Sequence, residues 1–128
     1  MLLKTIINTD NAPAPIGPYS QAVIAGNFVF VSGQIPVNPL TGELVMDDIK
    51  TETKQVMENI KAILTEAGID FGNIIKTSIF LTDMKNFTQV NEVYGTYFAG
   101  AYPARETVQV AGLPKNVNVE ITVTAIKA

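Results

Sequence analysis

A single amphipathic segment, residues 47–68, sets the strongest limit on the architecture of this chain. Asp47 or Asp48 can cap its start and Gly68 can close its end, because short acidic side chains and glycine are favoured at those positions. Apolar side chains recur through the segment at helical spacing, namely Val56, Met57, Ile60, Ile63, Leu64 and Ala67. A helix with one apolar face has to bury that face, so the rest of the chain must supply a second layer.

Shorter apolar runs on both sides of this helix are typical of β-strands. They are predicted at residues 3–7, 19–24, 28–32, 73–81, 107–111 and 117–126. The pair Gly26-Asn27 between the second and third runs indicates a tight hairpin, and Gly42 marks another turn at residues 39–42. Prolines at positions 13, 15 and 18 argue against regular structure between the first two runs.

A second helix is predicted to start at Asp83 or Asn86. Its inner side carries bulky apolar residues, namely Phe87, Val90, Tyr94, Tyr97 and Phe98. The order of elements is then strands, helix, strand, helix, strands. This order predicts one α+β domain over residues 1–128, with both helices packed on one face of a single mixed sheet.

The composition excludes several kinds of chemistry. The chain has no histidine and no cysteine, which rules out a Ser-His-Asp triad, thiol nucleophiles and the usual zinc ligands, so we predict no metal site. A net charge of -3 without a lysine cluster argues against an extended nucleic-acid surface. No run is long enough to span a membrane, and the first apolar run is too short for a signal peptide, so we expect a cytoplasmic protein.

Arg105 is the one arginine of a chain whose other cations are lysines. A lone guanidinium suits a task that lysine performs badly, such as binding a carboxylate through two parallel hydrogen bonds. Glu120 interrupts the apolar alternation of the last strand. If the last two strands pair as a hairpin, Arg105 and Glu120 share one sheet face. Arg105 then binds the substrate and Glu120 handles a proton, or the two form a cross-strand salt bridge that contributes little to stability. Spacing alone favours the salt bridge.

Three weaker signals each have a functional and a plain interpretation. Tyr19 follows a proline turn that fixes its phenol, yet most tyrosines at strand starts are simply packed. Ser32 and Gly33 end a strand where backbone N–H groups can meet an anion, or the strand simply stops there. Asn91 lies on the apolar side of the second helix, either as a ligand contact or as a partner of the backbone.

Four motifs gather these residues in one order. They are Ile16-Gly17-Pro18-Tyr19-Ser20-Gln21-Ala22, Ser32-Gly33-Gln34-Ile35-Pro36-Val37-Asn38-Pro39 with Thr41-Gly42-Glu43, Pro103-Ala104-Arg105, and Val117-Asn118-Val119-Glu120-Ile121. Their order and spacing over nearly the whole chain resemble the RidA (reactive intermediate deaminase A) family, also called the YjgF family.

The resemblance implies an enzyme that hydrolyses reactive enamines and imines to 2-oxo acids and ammonia without a cofactor. Its substrates would be 2-aminoacrylate, 2-iminopropanoate and 2-iminobutanoate, and its role metabolite damage control. It also implies a chorismate-mutase-like fold and a homotrimer with sites in clefts between subunits. Arg105 would hold the substrate carboxylate and Glu120 would lie near the attacking water. The cleft would be lined by Tyr19, Ser32 and Asn91.

Two positions depart from the family pattern. Many members carry cysteine where this chain has Thr107, so substrate contact there would run through the backbone, and no thiol role remains. Glu106 replaces a residue that is usually small, and strand parity points it away from Arg105. Two other functions remain open: a non-catalytic binder of 2-oxo acids or regulator, and an RNA-cleaving translation inhibitor, which the acidic balance and the missing histidine disfavour.

Overall fold

A computed structural model describes residues 3–128, so residues 1 and 2 of the predicted domain lie outside it. In chain order the elements are β1 (Lys4–Ile7), β2 (Ala22–Ala25), β3 (Phe28–Gln34), α1 (Ile49–Glu66), β4 (Ile74–Leu81), α2 (Phe87–Gly95), β5 (Ala104–Gln109) and β6 (Val119–Ile126). Both helices pack on one face of a single mixed sheet, which confirms the predicted α+β class. Within this described part of the chain, no helix is long and apolar enough to cross a membrane.

The sheet has the strand order β1-β2-β3-β6-β4-β5. Its neighbouring strands are antiparallel except β4 and β5, which run parallel with Arg105 opposite Thr77. The predicted hairpin of the last two strands is therefore wrong. α2 connects β4 to β5, and a strand–helix–strand unit returns the chain in its original direction, so β5 pairs with β4. β6 instead lies between β3 and β4, where its apolar residues are buried, namely Val119, Ile121, Val123 and Ala125.

The helix α1 follows the predicted pattern at both ends and along its apolar stripe. Asp48 accepts a hydrogen bond from the N–H of Thr51 at 2.8 Å and so caps the first turn. Gly68 has a φ of +79°, the left-handed conformation in which glycine commonly follows a helix. All six predicted stripe residues are buried. Packing of this stripe on β3 and β6 forms the main core.

One side chain holds the irregular segment that precedes β2. Gln21 is 2% exposed, and its Oε1 accepts a hydrogen bond from the N–H of Thr9 at 2.7 Å. Its Nε2 donates to the carbonyl oxygen of Pro13 at 2.9 Å. β2 and β3 then pair around Gly26, whose φ is +59°, as the sequence predicted. These bonds tie residues 9–13 to the residue that precedes β2.

The two faces of the sheet differ in what covers them. The helix face packs against α1 and α2, whereas the open face is uncovered in the single chain. On the open face, Phe28 and Phe30 are 43% and 48% exposed. Thr122 and Thr124 lie on the same face of β6 and are half-buried. The open face therefore combines exposed aromatic rings with small polar side chains.

Candidate active site

Arg105 lies on the helix face of the edge strand β5. Its guanidinium carbon is 5.1 Å from the ring centroid of Tyr94 and 5.7 Å from that of Phe87. Both rings belong to α2, and such cation–π contacts attract a guanidinium without using its hydrogen-bond donors. Among residues 3–128, no carboxylate forms an ion pair with Arg105. Its donors are thus available to an anion.

Tyr94 is itself fixed by the sheet. Its hydroxyl donates a hydrogen bond to Thr77 Oγ1 at 3.0 Å, and Thr77 is the residue opposite Arg105 on β4. Burial raises the pKa of Tyr94, although the hydrogen bond to Thr77 and the charge of Arg105 act in the opposite direction. The hydroxyl therefore stays protonated at neutral pH and holds the ring in place for Arg105.

A cavity of about 450 Å³ opens beside Arg105, lined by Asn91, Tyr94, Gly95, Tyr102, Pro103 and Arg105. Asn91 is half-buried and lies one helical turn before Tyr94, so this predicted residue does reach the surroundings of the arginine. Thr107 lies two residues along β5 on the same face. Its Oγ1 is buried and has no hydrogen-bond partner in the described chain.

Glu120 lies on the open face of β6, directly against Gly33 of β3. A Cβ atom placed on Gly33 would be 2.5 Å from Glu120 Oε2. Glu120 is half-buried, and this burial raises the pKa of its carboxyl group. Within residues 3–128 it forms no ion pair. A carboxylate in such a setting takes up a proton more readily than an exposed one does.

Tyr19 and Gly33 line one cleft of about 250 Å³. The hydroxyl of Tyr19 accepts a hydrogen bond from the N–H of Ile16 at 3.1 Å, which closes the predicted turn and fixes the ring. Ser32 is next to Gly33, but its hydroxyl donates to the carbonyl oxygen of Ser20 at 2.6 Å. Ser32 therefore supports the end of β3 and does not line this cleft in the single chain.

The predicted site residues thus fall into two groups. The arginine half-site consists of Asn91, Arg105 and Thr107. The glutamate half-site consists of Tyr19, Gly33 and Glu120, with Ser32 as support for the end of β3. The prediction that Arg105 and Glu120 share a sheet face is wrong, because their partners on β4 are three residues apart and therefore point to opposite faces. Arg105 is opposite Thr77 on the helix face, whereas Glu120 is opposite Phe80 on the open face.

The two groups are too far apart for one small ligand within a single chain. Arg105 and Glu120 are separated by about 10 Å across the strands and by about 10 Å along them, on opposite faces. This separation also excludes the salt bridge that spacing alone had favoured. Neither a shared site nor an ion pair joins the two residues inside one chain.

Glu106 points away from Arg105, as strand parity predicted. It lies on the open face, where Lys76 Nζ is 2.9 Å from its carboxylate and Ser78 donates a hydrogen bond to it. The bond from Ser78, followed by that from Lys76, lowers the pKa of Glu106. The carboxylate of Glu106, which departs from the family pattern, therefore finds its partners within its own chain.

The sequence did not reveal the aromatic partners of Arg105. Phe87 and Tyr94 were assigned to the inner side of α2. Tyr94 is buried there at 5% exposed, whereas Phe87 is 38% exposed and lies beside Arg105. Their spacing of seven residues on one helix side was the available signal. It could not be linked to Arg105, because the expected hairpin would have put that side chain on the other face of the sheet.

Comparison with known proteins agrees with the four motifs. The family model described as Endoribonuclease L-PSP matches residues 9–127. A RutC family protein of Pyrococcus horikoshii is 54% identical over 125 residues, covering 98% of this chain and 99% of that protein. The 2-iminobutanoate/2-iminopropanoate deaminase of Mus musculus is 45% identical over 126 residues, covering 98% and 92%. The crystal structure of E. coli TdcF with bound serine is similar at a TM-score of 0.93 and 46% identity, covering 97% and 99%.

Proposed function

This chain belongs to the Endoribonuclease L-PSP family, also called the YjgF or RidA family, and we propose that it hydrolyses reactive imino acids. The proposed substrates are 2-aminoacrylate, 2-iminopropanoate and 2-iminobutanoate, and the products are 2-oxo acids and ammonia. The mouse relative named for this activity supports the reaction class. The observation that carries the proposal is the guanidinium of Arg105, held by two rings and without a carboxylate partner in the described chain.

In the proposed reaction, Arg105 binds the carboxylate that all three substrates share. A guanidinium offers two parallel donors to a carboxylate, and the rings of Phe87 and Tyr94 fix its plane before the substrate arrives. Serine, which is bound in the TdcF structure, also carries a carboxylate. A protein similar to this chain therefore binds a ligand of the same chemical class. Asn91 and the buried hydroxyl of Thr107 are further candidates for polar contacts to the same ligand.

The second step is the addition of water to the C=N carbon, which 2-aminoacrylate acquires by tautomerising to 2-iminopropanoate. Glu120 orders this water, can accept one of its protons and can return a proton to the leaving nitrogen. The carbinolamine then loses ammonia and leaves a 2-oxo acid. An imine is already electrophilic, so orientation contributes more than a strong nucleophile would. Tyr19 bounds the cleft next to this water.

A complete site requires both half-sites, which one chain keeps apart. We therefore propose a homotrimer in which the arginine half-site of one subunit faces the glutamate half-site of the next. The exposed apolar side chains of the open face support such an assembly, since Phe28, Phe30 and Val108 are each at least 40% exposed in the single chain. Covering them would remove that apolar surface from water.

The experiment follows the decay of 2-iminopropanoate or 2-iminobutanoate generated in solution. Wild-type protein is expected to accelerate the decay. Arg105→Ala is expected to lower kcat/KM by about a hundredfold or more, because it removes two charge-assisted hydrogen bonds to the substrate. Lys50→Ala is a matched control, since Lys50 is an exposed cation of α1 that pairs with Glu92 outside both half-sites.

Two results would count against the proposal. Equal rates for wild type and Arg105→Ala would exclude the carboxylate clamp. Decay that wild-type protein does not accelerate, combined with tight binding of a 2-oxo acid, would favour the alternative function of a small-ligand binder or regulator.

A further inference from the structure

The backbone conformation at position 33 does not require a glycine, although Gly33 occupies it. The glycines with a left-handed φ are Gly26, Gly42, Gly68 and Gly100, and Gly33 is not among them. Any L-residue can adopt its conformation as far as φ is concerned. Yet among residues 3–128 it is the glycine at which an added Cβ would come closer than 3 Å to another atom: 2.5 Å to Oε2 and 2.8 Å to Cδ of Glu120.

The backbone on the N-terminal side of Gly33 is held by hydrogen bonds and cannot easily move aside. The N–H of Ser32 donates to the carbonyl oxygen of Gln21 at 2.9 Å, and the Ser32 hydroxyl donates to that of Ser20. On the other side, Gln34 is 5% exposed and pairs with Ile121 of β6. The pairing of β3 with β6 is irregular between Val31 and Gln34, yet both neighbours of Gly33 are held in place. A new side chain at position 33 is therefore expected to displace the far end of Glu120.

We propose that Gly33 is a positioning residue for Glu120. The missing side chain leaves the space in which the Glu120 carboxylate rests. This role differs from a backbone contact to an anion, because it acts through another side chain. Its effect on catalysis rests on the proposed function, whereas the contact between Gly33 and Glu120 does not.

An alanine at position 33 is expected to change function more than stability. The atoms in its way belong to the flexible end of Glu120, which can adopt another rotamer at little cost to the fold. The carboxylate would then leave the place that it occupies against Gly33. Since a misplacement of about 1 Å can lower a rate up to about a hundredfold, the change should appear in kcat rather than in KM.

The test compares Gly33→Ala with wild type and with Gly112→Ala. Gly112 is a matched control, because its added Cβ meets no atom within 4 Å and its φ is not left-handed. The pKa of Glu120 is measured by NMR on carbon-labelled glutamate, with Glu120→Gln identifying the signal. Gly33→Ala is expected to shift that pKa from its wild-type value, because the carboxylate leaves its present surroundings, and to lower kcat about ten- to a hundredfold. Gly112→Ala is expected to change neither.

A second background separates an effect through Glu120 from general damage to β3. Glu120→Asp withdraws the carboxylate from Gly33, so adding Gly33→Ala to it is expected to lower kcat less than about threefold. An equal proportional loss in both backgrounds, or an unchanged pKa of Glu120 in Gly33→Ala, would overturn the inference. A shifted pKa with unchanged kcat would overturn the positioning role by removing Glu120 from the reaction.

Two further results remain decisive. If Gly33→Ala does not fold, Gly33→Ala/Glu120→Ala is expected to fold, because the obstructing carboxylate is gone; failure of both would overturn the inference. If the wild type has no deaminase activity, the proposed function fails, and the pKa comparison still decides whether Gly33 makes room for Glu120.

Discussion

The guanidinium of Arg105 lies over two aromatic rings, and its planar shape suits both this contact and the binding of a carboxylate. The ammonium of a lysine is a compact, strongly hydrated charge without a fork of donors. An ammonium group is not planar, so it could not stack on the rings of Phe87 and Tyr94 as the guanidinium does. The use of one arginine in a chain of eight lysines is therefore explained at this position by geometry as well as by charge.

The ring of Tyr94 should matter more to substrate binding than its hydroxyl. Tyr94→Phe keeps the ring and loses only the bond to Thr77, so kcat/KM is expected to stay within about threefold of wild type. Tyr94→Leu removes the cation–π contact and is expected to raise KM about five- to tenfold. Steady-state kinetics on 2-iminopropanoate measure both, with the dissociation constant of a 2-oxo acid as a second readout.

Tyr97→Leu is the matched control for this comparison. Tyr97 packs on Phe71 and donates a hydrogen bond to Glu58, and it does not contact Arg105. Its replacement is expected to leave KM unchanged. A similar rise of KM in Tyr97→Leu and Tyr94→Leu would show that the aromatic cluster acts through general packing and not through Arg105.

At the level of whole elements, α1 and β6 were predicted correctly because the residues that identify them lie within each element. The stripe and both ends of α1 follow from spacing and from caps within the element, and the alternation of β6 identifies its buried side chains. The pairing partner of β5 depends instead on where α2 returns the chain to the sheet. The residues of β5 themselves do not indicate this position. Because the pairing was predicted wrongly, Arg105 was placed on the wrong face of the sheet. For the same reason its position relative to Glu120 was predicted wrongly.

The start of β6 is fixed to α1 by a buried carboxylate that the sequence did not reveal as important. Glu52 is 1% exposed and accepts hydrogen bonds from the backbone N–H of Asn118 at 2.7 Å and from its Nδ2 at 2.9 Å. Asn118 comes directly before β6, two residues ahead of Glu120. The bridge therefore contributes to the position of the glutamate half-site as well as to the packing of α1.

Removing this bridge should destabilise the protein. Glu52→Ala leaves the half-buried Asn118 N–H without its acceptor, and it is expected to lower the free energy of unfolding by about 1–3 kcal/mol. Glu66→Ala removes an exposed carboxylate of the same helix and is expected to change it by less than about 0.5 kcal/mol. Urea unfolding at one fixed protein concentration gives both values. Comparable stability of the two variants would show that the buried bridge contributes little.

At the scale of the molecule, the sheet separates the two half-sites and leaves one face uncovered. The helix face carries Arg105 beside α2, and the open face carries Glu120 together with exposed aromatic rings. Assembly of identical chains would cover those rings and could bring the two half-sites together. In a closed ring of three, every site would take its arginine from one subunit and its glutamate from a neighbour.

This arrangement predicts that two inactive variants restore activity when they are mixed. Arg105→Ala and Glu120→Ala chains, unfolded together in equal amounts and refolded, form mixed trimers. A site is intact when its arginine comes from a Glu120→Ala chain and its glutamate from an Arg105→Ala chain. Random mixing makes roughly a quarter of the sites intact, so the mixture should recover about a quarter of wild-type activity. Each variant refolded alone should stay near background.

The control mixture combines Arg105→Ala with the double variant Arg105→Ala/Glu120→Ala. Neither chain contributes an arginine, so no site is intact and the rate should stay near background whatever the mixing. Native mass spectrometry of differently labelled chains verifies that mixed trimers form in both samples. Mixed trimers of the single variants without any recovered activity would show that Arg105 and Glu120 do not meet across subunits. The proposed site would then have to be rebuilt around one half-site alone.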